Sequence, residues 1–380
     1  RPPATRPAPP RPAETRRVFR HSVAAGDFPL LDRVRETGLA LAVEQVAGSE
    51  LVPGALAEAA GMASVLALPL RSQAEVQGIM LVDYAGRAHR FSPRRTALLA
   101  GIANQAGIAI ENVALYRESL ERERIAQELQ VARQIQATFL PERCPQIAGW
   151  SVAVSSRPAR EVGGDFYDFI PLGRSRWGLV IADVSDKGVP AALFMALSRN
   201  VMRAVAAEGR SPVATLERVN RLLPADSRSG MFVTLFYGIL DPRSGELVFA
   251  SGGQNPPYLL RRASGEPERL VARGIALGVV ERPQFEERRL VLEPGDALVL
   301  YTDGVTESFD ALGRDFGEAG LQAAVRGAGT AAEEVVEAIN RAVAAFVGGA
   351  PQHDDYTLLV VARDGQGAGN RVQQTLGYSG

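Results

Sequence analysis

Four acidic motifs, far apart in the chain, carry residue types able to do chemistry. They are Glu161-Val-Gly-Gly-Asp165, Ala182-Asp183-Val-Ser-Asp-Lys-Gly188, Tyr301-Thr-Asp303-Gly304 and Asp354-Asp355-Tyr-Thr357. In three of them a carboxylate closes or opens an apolar run. Trp177–Ala182 leads into Asp183, Ala297–Tyr301 leads to Asp303, and Thr357–Val361 follows the Asp354-Asp355 pair. Acids at strand ends can converge on one sheet edge, where they repel one another unless a cation lies between them. An oxygen-only cluster without His or Cys suits Mg²⁺ or Mn²⁺ rather than zinc or copper. The pattern points to metal-dependent hydrolysis. A single aspartate needs no such explanation, because turn aspartates bond their own backbone; the joint pattern goes beyond that.

The elements that must position these acids lie in residues 143–364. Strand segments are Trp150–Ser156, Trp177–Ala182, Met231–Leu240, Leu247–Ser251, Ala297–Tyr301 and Thr357–Val361. Helical spacing marks Val189–Ala206, Pro212–Leu223 and Ala332–Phe346. Met231–Leu240 and Leu247–Ser251, joined around Asp241-Pro-Arg-Ser-Gly245, read as a hairpin. The class is therefore α+β with antiparallel sheets.

A compact α/β unit is expected ahead of it, over residues 21–113. Its strands are Leu39–Val46, Ala63–Leu70 and Val76–Tyr84, and its last helix is capped by Ser92 and opened by Pro93. That helix continues as a linker over 114–142, to about Leu140. It has alternating charge in Arg117–Glu128 and an apolar series at Leu120, Ile125, Leu129, Ile135 and Phe139. The spacing is not a strict heptad; packing against a second copy, as a homodimer, is the favoured reading. Residues 1–20 read as a disordered Pro/Arg-rich lead-in and 365–380 as a flexible tail.

The net charge of −1 over 380 residues indicates neither a basic nucleic-acid footprint nor a polybasic membrane patch. No unbroken apolar run reaches the ~18 residues of a membrane span, so no membrane partner is expected in this segment. Cys144 is the single cysteine, which rules out an intrachain disulfide and favours a reducing, cytoplasmic setting. The chain begins at Arg1, which leaves room for an upstream sensor or anchor. Lys187 is the only lysine.

Taken in order, the motifs resemble the SpoIIE/RsbU-type branch of the PP2C-like (PPM) serine/threonine phosphatases, over about Glu128 to Arg363. The resemblance rests on Ala132-Arg-Gln-Ile-Gln136 with Leu140-Pro141, Glu161 to Asp168, Asp183 to Leu193, Met231 to Tyr237, Tyr301 to Glu307 and Asp354 to Leu358. Residues 21–113 resemble a GAF domain in Ala67-Leu-Pro-Leu70, Gly78-Ile-Met-Leu-Val82 and the helix reaching Glu111-Asn112, with its first elements thin.

This resemblance implies a PP2C-like α-β-β-α sandwich behind a GAF-like sensor and a connecting helix. It implies two Mn²⁺ or Mg²⁺ ions and no organic cofactor. Asp183 would bridge both ions and the Val184 carbonyl would bind one of them. Asp303 and Asp354 would hold the other ion, and Asp165 would belong to the shared shell. Asp355 falls where relatives place a supporting polar residue and stays outside the ligand set. Arg160 stands at the spacing of a phosphate-binding arginine, although a solvated loop charge explains it equally well. Two cations roughly 3.5–4 Å apart can activate a shared water and clamp an in-line displacement at phosphorus. The implied substrate is a phosphorylated STAS-type anti-sigma-factor antagonist.

Gly163, Gly164 and Gly304 are expected to supply tight turns, and Ser185 or Asp186 to cap the helix starting near Pro190. The chain departs from the family at Gln254, where relatives often have His, and at Asp186, where glycine is frequent. His353 beside Asp354 and Lys187 near the acid loop both read most simply as solvated surface.

Overall fold

The computed structural model describes residues 27–365 except 73–74, 84–86, 174 and 224–229. The lead-in expected over 1–20 and nearly all of the tail after 365 lie outside the described residues. The chain divides into two compact units, Arg1–Arg124 and Ile125–Gly380.

The first unit holds α1 (Pro29–Thr37), β1 (Leu41–Val43), α2 (Gly54–Ala60), β2 (Val65–Ser72), β3 (Glu75–Asp83) and most of α3 (Pro93–Ala137). The three strands form one antiparallel sheet in chain order. Side chains alternate across β2 as the pleat requires. Val65 and Ala67 pack with Leu30, Val34 and Ala57 from α1 and α2, while Leu66 and Leu68 pack with Ala103 of α3. A Cβ at Gly107 would collide with the Arg71 backbone, so α3 lies directly on β2. The first elements, expected to be thin, are present as two short helices and a three-residue strand. One expectation needs amending: by length and composition alone, α3 is apolar enough over an 18-residue window to cross a membrane. Its burial of Ala103 and Gly107 on β2 accounts for part of that apolar character.

The second unit is two antiparallel five-stranded sheets between helices. One sheet orders β11 (Glu287–Val291), β8 (Glu246–Gly252), β7 (Val233–Asp241), β6 (Arg176–Val184) and β5 (Phe166–Leu172). The other orders β10 (Pro267–Arg269), β9 (Tyr258–Leu260), β12 (Ala297–Tyr301), β13 (Tyr356–Arg363) and β4 (Trp150–Arg157). The central strands are buried on both faces, which explains their unbroken apolar runs. Leu179 and Ile181 of β6, Leu298 and Leu300 of β12 and Leu359 and Val361 of β13 fill the space between the sheets. Val180 and Ala182 face outward to α4 (Val189–Ala206) and α5 (Pro212–Leu222). Val299, Tyr301 and Val360 face α7 (Gly317–Arg326) and α8 (Ala332–Val347) on the other side. A one-turn helix, α6 (Asp303–Thr306), follows β12. This is the four-layer sandwich that the resemblance implied.

Local chemistry fixes the helices nearest the acids. Pro212 opens α5 behind Ser211, whose Oγ accepts the Ala214 N–H at 3.3 Å. Helix α4 has no side-chain cap: Gly188 is its N-cap, Ser185 Oγ accepts from Phe232 N and Asp186 Oδ1 from Lys187 N. The expected cap by Ser185 or Asp186 is therefore wrong; these side chains brace the loop. Farther along, Arg199 and Arg203 tie α4 to β5 through Asp168. Helix α3 ends at Ala137 and a turn carries the chain through Leu140, close to the expected stop.

Candidate metal centre

Strand pairing brings the acids to one end of both sheets. Asp165 immediately precedes β5, whose Phe166 pairs with Ala182 next to Asp183 at the end of β6. Asp303 lies two residues beyond Tyr301 of β12, which pairs with Leu358, and Asp354 and Asp355 directly precede β13. Four stretches of sequence thus supply carboxylates to one edge.

Their electrostatics show the proximity. Burial, then the Asp303 charge, pushes Asp183 up to about 7; Asp354 and Asp355 add to the rise and a hydrogen bond with Asp165 opposes it. Burial and the Asp354 charge push Asp303 up to about 6, opposed by the Gly304 N–H and by Lys187. Burial raises Asp165 well above the ordinary carboxylate range, with Asp183 and Asp355 as further causes. Asp165 Oδ2 accepts from Thr302 Oγ1 at 2.7 Å, whereas Asp165 Oδ1 is buried without a conventional hydrogen-bond partner. The contact between Asp165 and Asp183 can form a hydrogen bond only if one of them holds a proton. Two ionised carboxylates would need a cation there instead.

The donor set fits a hard divalent cation in three respects: all ligating atoms are oxygen, one buried carboxylate oxygen is orphaned, and the acids repel one another. It falls short in one. Among the described residues, no three His, Cys, Asp or Glu side chains close on a single point as a finished metal cage. Asp354 is turned toward Lys187, with Nζ 2.7 Å from Oδ2. Lys187, expected as solvated surface, is therefore part of this edge.

Asp355 has a different task. Its Oδ1 accepts from Ala159 N at 2.8 Å and its Oδ2 from Gly164 N at 2.6 Å, so it binds the Asp165 loop by its backbone. This explains the glycines, and not as expected. A Cβ at Gly163 would strike the Asp355 carboxylate, one at Gly164 would sit 2.8 Å from the Val184 carbonyl oxygen, and one at Gly304 would strike the Asp355 backbone. None of the three has positive φ. Close approach, not turning, demands them. The positive φ falls at Asp186 instead, at 79°, in a region where Asp is tolerated.

The Val184 carbonyl, at the end of β6, lies beside Gly164. Arg160 is exposed and makes no hydrogen bond or ion pair with the described residues; its guanidinium lies near Gly188. His353 stacks edge-on against Phe309, 5.7 Å between ring centres, and its carbonyl accepts from Lys187 Nζ.

Three residues support the acids through contacts that the sequence did not show. Thr302 links Asp165 to β13, accepting from Thr357 N at 3.0 Å while donating to the carboxylate. Gln254 is buried and ties the sheets together: Thr234 Oγ1 donates to its Oε1 at 2.8 Å, and its Nε2 donates to the Tyr301 carbonyl at 3.0 Å. Thr234 is the register partner of Asp183. Gln136, in the last turn of α3, holds Gly163 from both sides, accepting from its N–H at 3.1 Å and donating to its carbonyl at 2.6 Å. Gln136 and Thr302 lie in motifs that carry the resemblance and Gln254 stands out as a departure from it, but none of these contacts can be read from the sequence.

The double sandwich with an acid-lined end is the architecture of PP2C-type phosphatase domains. Residues 173–364 match the Stage II sporulation protein E (SpoIIE) family and residues 6–111 match the GAF domain family. The chain belongs to the SpoIIE family, with a GAF domain in front. It is 32% identical over 264 residues to Protein IcfG of Synechocystis sp., covering 62% of this chain and 42% of that protein. It is 31% identical over 186 residues to Phosphoserine phosphatase RsbU of Bacillus subtilis, covering 49% of this chain and 55% of the relative. The chain thus spans about half the length of these curated relatives. Among solved structures, the SiaA-PP2C domain of Pseudomonas aeruginosa aligns with a TM-score of 0.56 at 24% identity, over 65% of this chain and 99% of that one, a likeness of fold.

Proposed function

We propose that this chain is a Mn²⁺- or Mg²⁺-dependent protein serine/threonine phosphatase that hydrolyses phosphoserine and phosphothreonine under control of its GAF domain. The observation that carries the reading is the close set of Asp165, Asp183 and Asp303, the first buried and the others half-buried: the Asp303 charge pushes Asp183 up, the Asp183 charge pushes Asp165 up, and Asp165 Oδ1 has no conventional hydrogen-bond partner. Asp183, the Val184 carbonyl, Asp303, Asp354 and Asp165 are the residues that would hold two ions. Bound there, such ions would supply an activated water and offset the charge of a transferring phosphoryl group.

The chain's own residues do the rest. Thr302 and Asp355 fix the Asp165 loop, and Gln254 fixes the ends of β7 and β12. Arg160, exposed with its guanidinium near Gly188 and without a partner among the described residues, is the side chain we assign to a phosphate. The similarity to RsbU, named a phosphoserine phosphatase, supports a protein substrate, and a phosphorylated STAS-type anti-sigma-factor antagonist is the substrate we favour. Exposed Leu120, Ile125 and Ile135 on α3 favour a homodimer through this helix. The lone Cys144 favours the cytoplasm.

A second reading, a catalytically silent partner-binding module, draws on the Lys187–Asp354 ion pair, which already neutralises one acid. The deciding experiment is turnover of an aryl phosphate and of phosphoserine peptides with Mn²⁺, in wild type and Asp183→Ala. Metal-dependent turnover lost in the variant supports the phosphatase; equal background rates in both proteins support the silent module. Peptides outcompeted by nucleotides would indicate a small-molecule phosphohydrolase instead.

A further inference from the structure

Lys187 is aimed at the acid edge by its backbone. Asp186 before it has φ 79°, with its carboxylate accepting the Lys187 N–H at 2.8 Å. Gly188 after it has φ 81° and ψ −153°, a region open essentially to glycine alone. Between these two unusual conformations, Lys187 Nζ reaches Asp354 Oδ2 at 2.7 Å and the His353 carbonyl at 2.8 Å. The two side chains are 38% and 28% exposed, so the pair is neither fully solvated nor sealed. Its field also reaches Asp303, whose upward shift it opposes.

We propose that Lys187 competes with a divalent cation for Asp354 and thereby sets how tightly the metal is held. The inference rests on the metal-dependent reading above. A carboxylate oxygen engaged by an ammonium has less to offer a metal, and an ammonium beside a dication is repelled by it. Metal binding at Asp354 must therefore weaken the Lys187 contact, and the contact must weaken metal binding by the same factor. Lys187 acts on the metal through Asp354 and is a positioning residue.

The test is calorimetric titration of Mn²⁺ into the chelator-treated full chain, comparing wild type, Lys187→Met and Lys187→Arg. The expected result is roughly fivefold tighter binding by Lys187→Met, the scale of a partly exposed ion pair, shrinking at high salt. Lys187→Arg, which keeps the charge, should bind like wild type. A second measurement needs no variant, because the chain has one lysine. Acetylation of Lys187 by an amine-reactive ester, followed by mass spectrometry of its peptide, should run faster with Mn²⁺ present. Equal or weaker affinity in Lys187→Met, or acetylation that Mn²⁺ slows or leaves unchanged, overturns the inference and leaves the phosphatase reading standing. Failure of the wild type to bind Mn²⁺ overturns both.

Discussion

Two buried aspartates three residues apart, Asp165 and Asp168, have opposite surroundings. Asp168, in β5, is 1% exposed and fully answered: Arg203 Nη1 meets both its oxygens at 2.7 and 2.8 Å, and Arg199 Nη2 lies 3.0 Å away. Asp165, 8% exposed, faces Asp183 and Asp355 and keeps one oxygen without a conventional partner. Burial is nearly equal; compensation is not. A buried acid with its cations in the chain holds structure together, whereas one surrounded by other acids asks for a cation from outside. The contrast separates scaffold from site more sharply than burial or residue type does.

The strongest way to break this contrast is through activity. Asp183→Ala should lower Mn²⁺-dependent phosphopeptide turnover by at least about 10³-fold while the fold survives, as circular dichroism and thermal melting would check. An active variant would mean that the acid edge is not the site. The next effect is on stability. Asp168→Ala leaves two guanidiniums without their carboxylate and should cost about 2–4 kcal/mol in urea unfolding, toward the lower end because Arg203 is 45% exposed. Asp165→Asn, by contrast, should leave the chelator-treated protein as stable or more so. Equal losses in the two variants would erase the distinction.

Gln254→Ala should cost about 1–3 kcal/mol, since it takes the amide donor from the buried Tyr301 carbonyl and leaves Thr234 Oγ1 only its long contact to the Asp183 carbonyl, and should also lower turnover by shifting Asp183 against Asp303. The smallest effect is on pH dependence. Asp183 and Asp303 sit above the ordinary carboxylate value, at about 7 and about 6. Their protonated forms favour the folded state, so this contribution is full below pH ~4 and is lost as pH rises through 6 and 7. With chelator, the melting temperature should fall across that window, and saturating Mn²⁺ should flatten the slope. A chelator-treated melting temperature that climbs from pH 5 to 7 would contradict the repulsion at this edge.

Much of this was legible in the sequence where one element decides its own form. Ala297–Tyr301 and Val189–Ala206 run as their apolar patterns dictate, and acids at the ends of such runs had to share an edge once the strands paired. The strand Phe166–Leu172 was hidden by Pro171, which β5 tolerates because it is the last strand of its sheet. The three-residue strands β9 and β10 offer too few residues for a period to show, and β11, Glu-Arg-Arg-Leu-Val, is a largely exposed edge strand with no apolar run. Gly163, Gly164 and Gly304 were recognised as needed but for the wrong reason, because what crowds them comes from residues far away in sequence. Gln254 looked like a departure from a loop motif; only the folded chain shows that its amide joins two sheets. The packing of Gly107 on β2, likewise, cannot be read from a helix whose 45 residues carry so little punctuation.

The grip of Gln136 on Gly163 has a use in experiment. A side-chain amide that both gives to and takes from one residue shields that residue's N–H much as a neighbouring strand does. Deuterium uptake at Gly163 should therefore track fraying at the end of a helix lying 27 positions upstream. One amide, two residues before Asp165, becomes a clock for how firmly that helix end is seated.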